Sequence, residues 1–255
     1  MIDTNIYLSR WPTRRLPGDE TPRLLEKLRA KGVTQAWAGS FDGLLHKDVA
    51  GVNARLVDEC RTHGDGLLVP FGCINPTSPD WQEDLRRCIE IHKMRGIRLH
   101  PNYHGYSLDE PALARLLSLA AERGLIVQIA LRMEDPRTQH RLLRVPDVDT
   151  APLLALLPKV PKLRLQLLNS LNVLRPDALD RLLAAGNVSV ETAMLEGVAG
   201  IARLLTHVPQ ERLLLGSYYP FFAWESAGLK LKESQLAAVQ RQAIETGNAA
   251  ALFAE

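Results

Sequence analysis

Ionisable side chains are concentrated in residues 132–140, where five of nine positions can carry a charge. Glu134 in this segment could act as a general acid or base, and Arg132 or Arg137 could hold an anionic substrate through two parallel hydrogen bonds. Such a run is equally typical of a solvated surface whose charges pair with one another. The segment directly follows a buried, apolar stretch, and this position favours a role in a functional site.

A second group of candidates surrounds His100. Arg98 lies two positions earlier in an extended stretch, so both side chains project to one face of a strand, where Arg98 could bind an anion and His100 move a proton. His104 has the spacing of a helical zinc-binding pair with His100, but the flanking Pro101 and Gly105 predict that no helix forms there. A metal-free cluster is therefore preferred over a relocated metal site. The other residues that could join a relocated site are His46, Glu134 and Asp135.

Glu191 is the third candidate acid or base, at the end of an apolar stretch that covers residues 188–190. A carboxylate buried there without a partner would cost several kilocalories per mole. Glu191 is therefore predicted to meet Arg98, Arg132 or another partner at the same end of the fold.

Nucleophilic catalysis has little support in the sequence. Ser40 and Ser217 lack the Gly-x-Ser-x-Gly turn that activates a serine. The cysteines are odd in number and widely spaced, which predicts reduced, buried, structural thiols rather than disulfides or zinc ligands. They are Cys60, Cys73 and Cys88.

Eight strand-then-helix units position these candidates. At roughly thirty residues each, eight units predict one (β/α)₈ TIM barrel over residues 1–255, with the site at the carboxyl ends of the strands. A doubly wound sheet is the alternative, but neither Gly-rich phosphate-binding motif is present. The predicted strands are residues 2–8, 33–38, 67–74, 96–99, 125–131, 163–168, 188–191 and 213–215. The predicted helices are residues 21–31, 49–62, 80–92, 111–123, 151–157, 176–185, 197–207 and 234–246.

Five short motifs, in order along the chain, resemble the amidohydrolase superfamily. The resemblance is to the amidohydrolase-related branch that includes 2-amino-3-carboxymuconate-semialdehyde decarboxylase, and it spans essentially the whole chain. The motifs are Ile2-Asp3, Gly96-Ile97-Arg98-Leu99-His100-Pro101, Pro161-Lys162-Leu163, Gly216-Ser217-Tyr218-Tyr219-Pro220 and Gly247-Asn248-Ala249.

The resemblance also implies that the metal ligands of that family are replaced. Family members carry a His-x-His pair in the first strand, a His ending the fifth, a His ending the sixth and an Asp ending the eighth. Amides and phenols are poor ligands for zinc and similar ions, so activation of water by that metal site should be lost. The corresponding residues here are Asn5, Tyr7, Ala130, Asn169 and Tyr218.

Three hypotheses follow. The first is a metal-independent hydrolase, or less readily a lyase, that acts on a small carboxylated, anionic substrate. The second is a catalytically inactive relative that binds a small ligand or a protein partner, and a third is hydrolysis with zinc or another divalent metal on relocated ligands. The catalytic candidates are His100, Glu134 and Glu191; the substrate-binding candidates are Asn5, Tyr7, Arg98, His104, Arg132, Arg137, Asn169 and Tyr218.

Composition excludes several partners. The 31 basic and 29 acidic residues leave a formal net charge of +2, which argues against a nucleic-acid-binding surface. No apolar stretch approaches the twenty or so residues that cross a bilayer, and the first residues do not resemble a secretory signal, so a cytoplasmic protein is expected. The aromatic residues 218–224 are predicted to pack in the core or a lid; alternatively they line an apolar pocket or contact another subunit of a homo-oligomer.

Overall fold

Eight parallel strands form a ring in which strand order follows the sequence. In this computed structural model, which describes residues 1–254, each strand pairs with the next. The ring is closed by a bridge between Ile6 and Tyr219 and by the hydrogen bond from Thr4 N to Leu215 O, 2.9 Å long. The predicted (β/α)₈ barrel is therefore confirmed. The strands are β1 (Ile2–Leu8), β2 (Gln35–Ser40), β3 (Leu68–Cys73), β4 (Gly96–Leu99), β5 (Ile126–Ala130), β6 (Arg164–Leu168), β7 (Val188–Glu191) and β8 (Leu213–Leu214).

Helices cover the outside of the ring, and the longer ones bury an apolar face. The helix that precedes β5 shows the pattern, because its buried residues recur at helical spacing and each buried leucine contributes about 2 kcal/mol. No helix within residues 1–254 is long and apolar enough to cross a membrane. The helices are α1 (Thr21–Ala30), α2 (Val49–His63), α3 (Trp81–Arg86), α4 (Pro101–His104), α5 (Pro111–Glu122), α6 (Leu153–Leu156), α7 (Pro176–Ala185), α8 (Gly200–Leu204), α9 (Trp224–Glu233), α10 (Ala238–Gln242) and α11 (Asn248–Ala254).

The prediction that no helix forms after His100 is wrong, because α4 makes one turn there. Pro101 occupies the first helical position, where its missing N–H costs nothing. Gly105 then ends the turn with φ at 73°, in the left-handed region that favours glycine. The two residues that argued against a helix instead define its beginning and its end.

The last predicted helix is also displaced. Residues 224–233 form α9, which the sequence analysis did not predict, and the next helix begins only at Ala238. The signals for α9 were nevertheless present: Trp224, Ala227 and Leu231 recur at helical spacing and are buried. Lysines in its last turn also complement the helix dipole.

Polar side chains fill the interior of the barrel. Arg98 donates from Nε to Gln128 Oε1 at 2.8 Å and from an η nitrogen to the main-chain carbonyl of Trp37 at 3.0 Å. Gln128 donates to Gln166 Oε1 at 2.7 Å, and Gln166 donates to Thr4 Oγ1 at 2.7 Å. These buried groups are satisfied by one another, so the interior is a packed core and not a channel.

Candidate functional site

Asn5 in the middle of β1, Asn169 just after β6 and Glu191 at the end of β7 are in direct contact. Asn5 Nδ2 donates to Asn169 Oδ1 at 2.9 Å and to Glu191 Oε1 at 3.1 Å. The main-chain N–H groups of Asn169 and Ala193 also donate to the Glu191 carboxylate, the first at 2.7 Å. All three side chains are fully buried. The predicted partner of Glu191 therefore exists, but it is a set of amide donors and not Arg98 or Arg132.

Burial raises the pKa of Glu191, and the amide hydrogen bonds from Asn169, Ala193 and Asn5 oppose that rise. Within residues 1–254, Asn5 Oδ1 has no hydrogen-bond partner and is the one side-chain oxygen of this trio left unused. A neutral amide oxygen is a weak, hard ligand. The trio is thus a hydrogen-bonded unit, and few of its atoms are free to bind a metal ion.

Two tyrosines complete this region. The Tyr7 hydroxyl shares a hydrogen bond of 3.0 Å with His100 Nε2, and the Tyr218 hydroxyl donates to the Met133 carbonyl at 2.7 Å. Burial raises the pKa of Tyr7 to about 12 and that of Tyr218 well above its usual value, so both phenols are neutral. We refer to the following residues as the central network: Asn5, Tyr7, Asn169, Glu191 and Tyr218.

Aromatic rings surround the central network. Phe41 stacks on Tyr7 with ring centroids 4.6 Å apart, and Phe221 stacks on Tyr218 at 4.9 Å. Trp11 contacts both phenylalanines edge-on, at 5.2 and 4.8 Å. Because these rings are supplied by the protein itself, the space beside the network is already filled. The predicted packing role of the aromatic residues 218–224 agrees with this arrangement.

Charged residues lie at the rim of the barrel in pairs. Glu134 is buried and accepts a hydrogen bond from Arg14, whose side chain is 43% exposed. Arg132 is bound to Asp147, with Nε and Oδ1 2.7 Å apart, and this pairing raises the pKa of the guanidinium. Each ion pair would have to open before it could hold a substrate.

Two of the predicted anion-binding arginines are not placed to hold a substrate. Arg137 pairs with Asp135 at 2.7 Å, and its side chain is 88% exposed, as expected of a solvated loop. Arg98 is fully buried inside the barrel, where its guanidinium also lies 4.4 Å from the ring centroid of Tyr7. The structure therefore brings the central network, His100 and Arg98 together, and it leaves Arg137 apart from them.

A cysteine lies next to the two histidines. Cys73 Sγ is 3.7 Å from His100 Nδ1, and one donor atom from each of Cys73, His100 and His104 lies within 4.8 Å of the other two. Gly43 O accepts from His104 Nε2 at 2.8 Å and from Cys73 Sγ at 3.4 Å. Burial lowers the pKa of His100 well below its usual value, and His104 adds to this effect. We refer to Cys73, His100 and His104 as the thiol–imidazole cluster.

Sequence reasoning missed the place of Cys73, which was treated as structural. The signal was its position: Cys73 is the last residue of β3, and it pairs in register with Arg98 of the next strand, two positions before His100. Residues that end neighbouring parallel strands meet at the same edge of the barrel. His46, the other histidine considered for this site, is exposed.

Comparison with solved structures finds the same fold at low sequence identity. 2,6-Dihydroxybenzoate decarboxylase from Rhizobium has a TM-score of 0.71 at 15% identity over 99% of each chain. 5-Carboxyvanillate decarboxylase from Sphingomonas paucimobilis has a TM-score of 0.74 at 14% identity, covering 99% of this chain and 98% of that one.

A third solved structure was determined with a metal. It is a dihydroxybenzoic acid decarboxylase from Polaromonas, with bound manganese and the inhibitor 2-nitroresorcinol, and its TM-score is 0.73 at 12% identity over 99% of this chain and 96% of that one. No curated protein sequence matches significantly. Residues 9–161, more than half of the chain, match the amidohydrolase family, and the chain therefore belongs to that family.

Proposed function

We propose that this chain is a non-catalytic amidohydrolase relative that binds a small anionic ligand. The observation that carries the proposal is the central network, whose five side chains are fully buried and hydrogen-bonded at the position where the family resemblance locates the metal. A catalytic centre needs an open position for its substrate, and these side chains occupy it.

The donor chemistry of the central network does not fit a divalent ion such as the manganese of the Polaromonas enzyme. Asn5 Nδ2 and the Tyr218 hydroxyl both act as hydrogen-bond donors, and Glu191 already accepts from three amide groups. Manganese prefers several carboxylate, carbonyl and water oxygens, but within residues 1–254 Asn5 Oδ1 is the one oxygen of the network without a hydrogen-bond partner, and a single oxygen does not hold the ion. We therefore assign no step of chemistry to a metal at this position.

A cleft beside the mouth of the barrel is the candidate ligand site. Its volume is about 670 Å³, within the range of small-molecule sites, and Tyr219 and Phe221 form part of its wall. Lys27 Nζ and Lys31 Nζ lie 2.8 and 2.9 Å from the same oxygen of Glu225. A carboxylated aromatic ligand could place its carboxylate on these two lysines in exchange for Glu225, with its ring against the aromatic wall.

A second candidate function is metal-independent hydrolysis, or decarboxylation, of a small carboxylated substrate. The observation that favours it is the pair of Glu134 and Arg14 at the rim, in which a buried carboxylate is covered by a partly exposed arginine. A substrate carboxylate could draw Arg14 away and leave Glu134 free as an acid or base. The similar structures named above are decarboxylases of carboxylated aromatics, so this substrate class is the one to test.

The experiment separates the two functions. Purified protein is incubated with 2,6-dihydroxybenzoate, 5-carboxyvanillate, and a set of lactones and amides, both with added Mn²⁺ and with a chelator. We expect no turnover above that of Glu191→Gln, and binding of 2,6-dihydroxybenzoate in calorimetry that is lost in Lys27→Ala/Lys31→Ala but retained in Lys47→Ala. Turnover that disappears in Glu134→Gln would reject the non-catalytic function and support the second candidate.

A further inference from the structure

The thiol–imidazole cluster has no role in the function proposed for the barrel. Cys73 ends β3, His100 follows β4, and His104 ends the single turn of α4. Three separate elements therefore place a thiol and two imidazoles at one point. Thiolate and imidazole are the side-chain groups that bind zinc and related ions most readily.

The distances are close to those of a metal site. A tetrahedral zinc ion with Zn–S of about 2.3 Å and Zn–N of about 2.0 Å needs S···N separations of about 3.6 Å and N···N separations of about 3.3 Å. Cys73 Sγ and His100 Nδ1 are already 3.7 Å apart. One ring nitrogen of His104 lies within 4.8 Å of the donor atoms of the other two residues, so a movement of about an ångström brings the three residues to metal-binding distance. His104 is only half-buried and lies on a one-turn helix, where such a movement costs little.

In metal-binding histidines, the ring nitrogen that faces away from the ion usually makes a hydrogen bond, and each imidazole of the cluster has such a contact. His104 Nε2 donates to Gly43 O at 2.8 Å, and His100 Nε2 lies 3.0 Å from the Tyr7 hydroxyl. A carbonyl accepts only from an N–H, so the first contact fixes the tautomer of His104 and leaves the lone pair on Nδ1. When His100 Nε2–H donates to the Tyr7 hydroxyl, the lone pair of His100 Nδ1 likewise faces Cys73.

Two polar atoms at this position are buried without a partner in the part of the chain that the structure describes. They are His104 Nδ1 and the hydroxyl oxygen of Tyr106. The Tyr106 ring centroid lies 6.4 Å from that of His104. Buried polar groups are nearly always hydrogen-bonded or bound to an ion, so an unused imidazole nitrogen beside a thiol and a second imidazole indicates a ligand.

We propose that Cys73, His100 and His104 bind one divalent transition-metal ion of the zinc class. A water molecule completes the coordination, and the Tyr106 hydroxyl can hydrogen-bond to it. Binding converts the Cys73 thiol to the thiolate, and the released proton passes to solvent. The softness of this ligand set favours zinc or cobalt over manganese or magnesium.

Cobalt titration tests the proposal directly, because Co²⁺ occupies zinc sites and reports on its ligands by absorption. The folded wild-type protein is titrated with Co²⁺ and then with Zn²⁺, and zinc content is measured independently by elemental analysis. We expect one Co²⁺ per chain, with tetrahedral visible bands and a thiolate-to-metal charge-transfer band, displaced by one equivalent of Zn²⁺. Cys60→Ser is the matched control, since Cys60 is also a buried, free thiol and should leave every band unchanged.

The variants identify the ligands. Cys73→Ser should abolish the charge-transfer band, and His104→Gln should weaken binding by more than about 100-fold, the upper range for loss of a group that merely supports a ligand. His104 is half-buried, so this variant should stay folded even if Cys73→Ser does not. Absence of cobalt bands in the folded wild type, or binding unchanged in His104→Gln, overturns the proposal.

This inference goes beyond the proposed function and can fail separately from it. No side chain of the central network is a ligand in the proposed site, so its metal content and the turnover assays are independent readouts. A chain that binds zinc but turns over no substrate would support both proposals.

Discussion

The central network and the thiol–imidazole cluster lie at the same end of the barrel and meet where Tyr7 contacts His100, yet they differ in how their polar atoms are used. In the network, Glu191 accepts from three donors and Tyr218 donates to a main-chain carbonyl. In the cluster, His104 Nδ1 has no partner within residues 1–254. Both regions are largely buried, so burial alone does not distinguish them.

Buried polar groups that lack a hydrogen-bond partner are therefore the ones that indicate a binding site for a ligand. The network is nearly complete and therefore stabilises the fold, since each of its hydrogen bonds is worth about 1 kcal/mol and costs more when one partner is lost. The cluster stays incomplete until an ion completes it. Four experiments test this contrast.

Removing the carboxylate of the network should have the largest effect. Glu191→Ala leaves the donors of Asn5, Asn169 and Ala193 without an acceptor and opens a cavity, so the free energy of unfolding should fall by about 3–5 kcal/mol. Urea denaturation measures this change. Glu196→Ala, which removes an exposed carboxylate five residues later, is the control and should change stability by less than about 0.5 kcal/mol. Equal stability of Glu191→Ala and wild type would show that the network does not stabilise the fold.

Asp3, on the same strand as Asn5, should make stability depend on pH. Burial raises the pKa of Asp3 from 3.8 to about 6, so the folded state binds its proton more tightly than the unfolded state. Stability should therefore fall by up to about 3 kcal/mol as the pH rises from about 4 to about 6.

Asp3→Asn is the reference for this measurement because it does not titrate. The free energy of unfolding of wild type minus that of Asp3→Asn is measured from pH 4 to pH 7. This difference should show the whole fall in stability that is due to Asp3. A difference that stays constant across that range would mean that hydrogen bonds from Ser217 and Trp224 offset the burial of the carboxylate.

Zinc should stabilise the wild-type protein through the cluster. At a free concentration 100 times the Kd, binding to the folded state alone adds about 2.7 kcal/mol to the free energy of unfolding. Thermal denaturation with and without Zn²⁺ measures this gain. Cys60→Ser should gain as much as wild type and His104→Gln much less; an equal gain in His104→Gln would locate the ion elsewhere.

The smallest effects compare two buried phenols. Tyr218→Phe removes the donor to the Met133 carbonyl and should cost about 1–3 kcal/mol. Tyr106→Phe removes a hydroxyl that has no partner within residues 1–254, so it should be neutral or slightly stabilising in metal-free protein. Urea denaturation in the presence of a chelator measures the free energy of unfolding of both variants. A similar decrease in the two variants would contradict the contrast between the central network and the thiol–imidazole cluster.

The barrel itself could be predicted from the sequence, because short buried strands alternate along the chain with segments whose apolar residues recur at helical spacing. Gly96–Leu99, Pro176–Ala185 and Val188–Glu191 have the predicted bounds. The family resemblance also pointed to Asn5, Tyr7, Asn169 and Tyr218, which do meet at one place. What could not be predicted was how these groups pair, since contacts between β1 and β7 join residues 186 positions apart.

The thiol–imidazole cluster escaped prediction for a local reason and a long-range one. Locally, Pro101 and Gly105 were taken as helix breakers. Pro101 instead occupies the first position of a one-turn helix, and Gly105 follows its last residue. At long range, the pairing register of β3 and β4 decides whether Cys73 reaches His100. Register depends on the packing of the whole barrel, which a pattern within one segment does not contain.

Arg98 has a consequence for how the barrel assembles. It lies on β4 and donates to Ile6 O of β1 at 2.7 Å, to Trp37 O of β2 and to the side chain of Gln128 on β5. A partly built barrel that lacks any of these strands leaves a buried guanidinium short of acceptors, at a cost of several kilocalories per mole. The first five strands should therefore form in one cooperative step, with the charge of Arg98 disfavouring every incomplete ring.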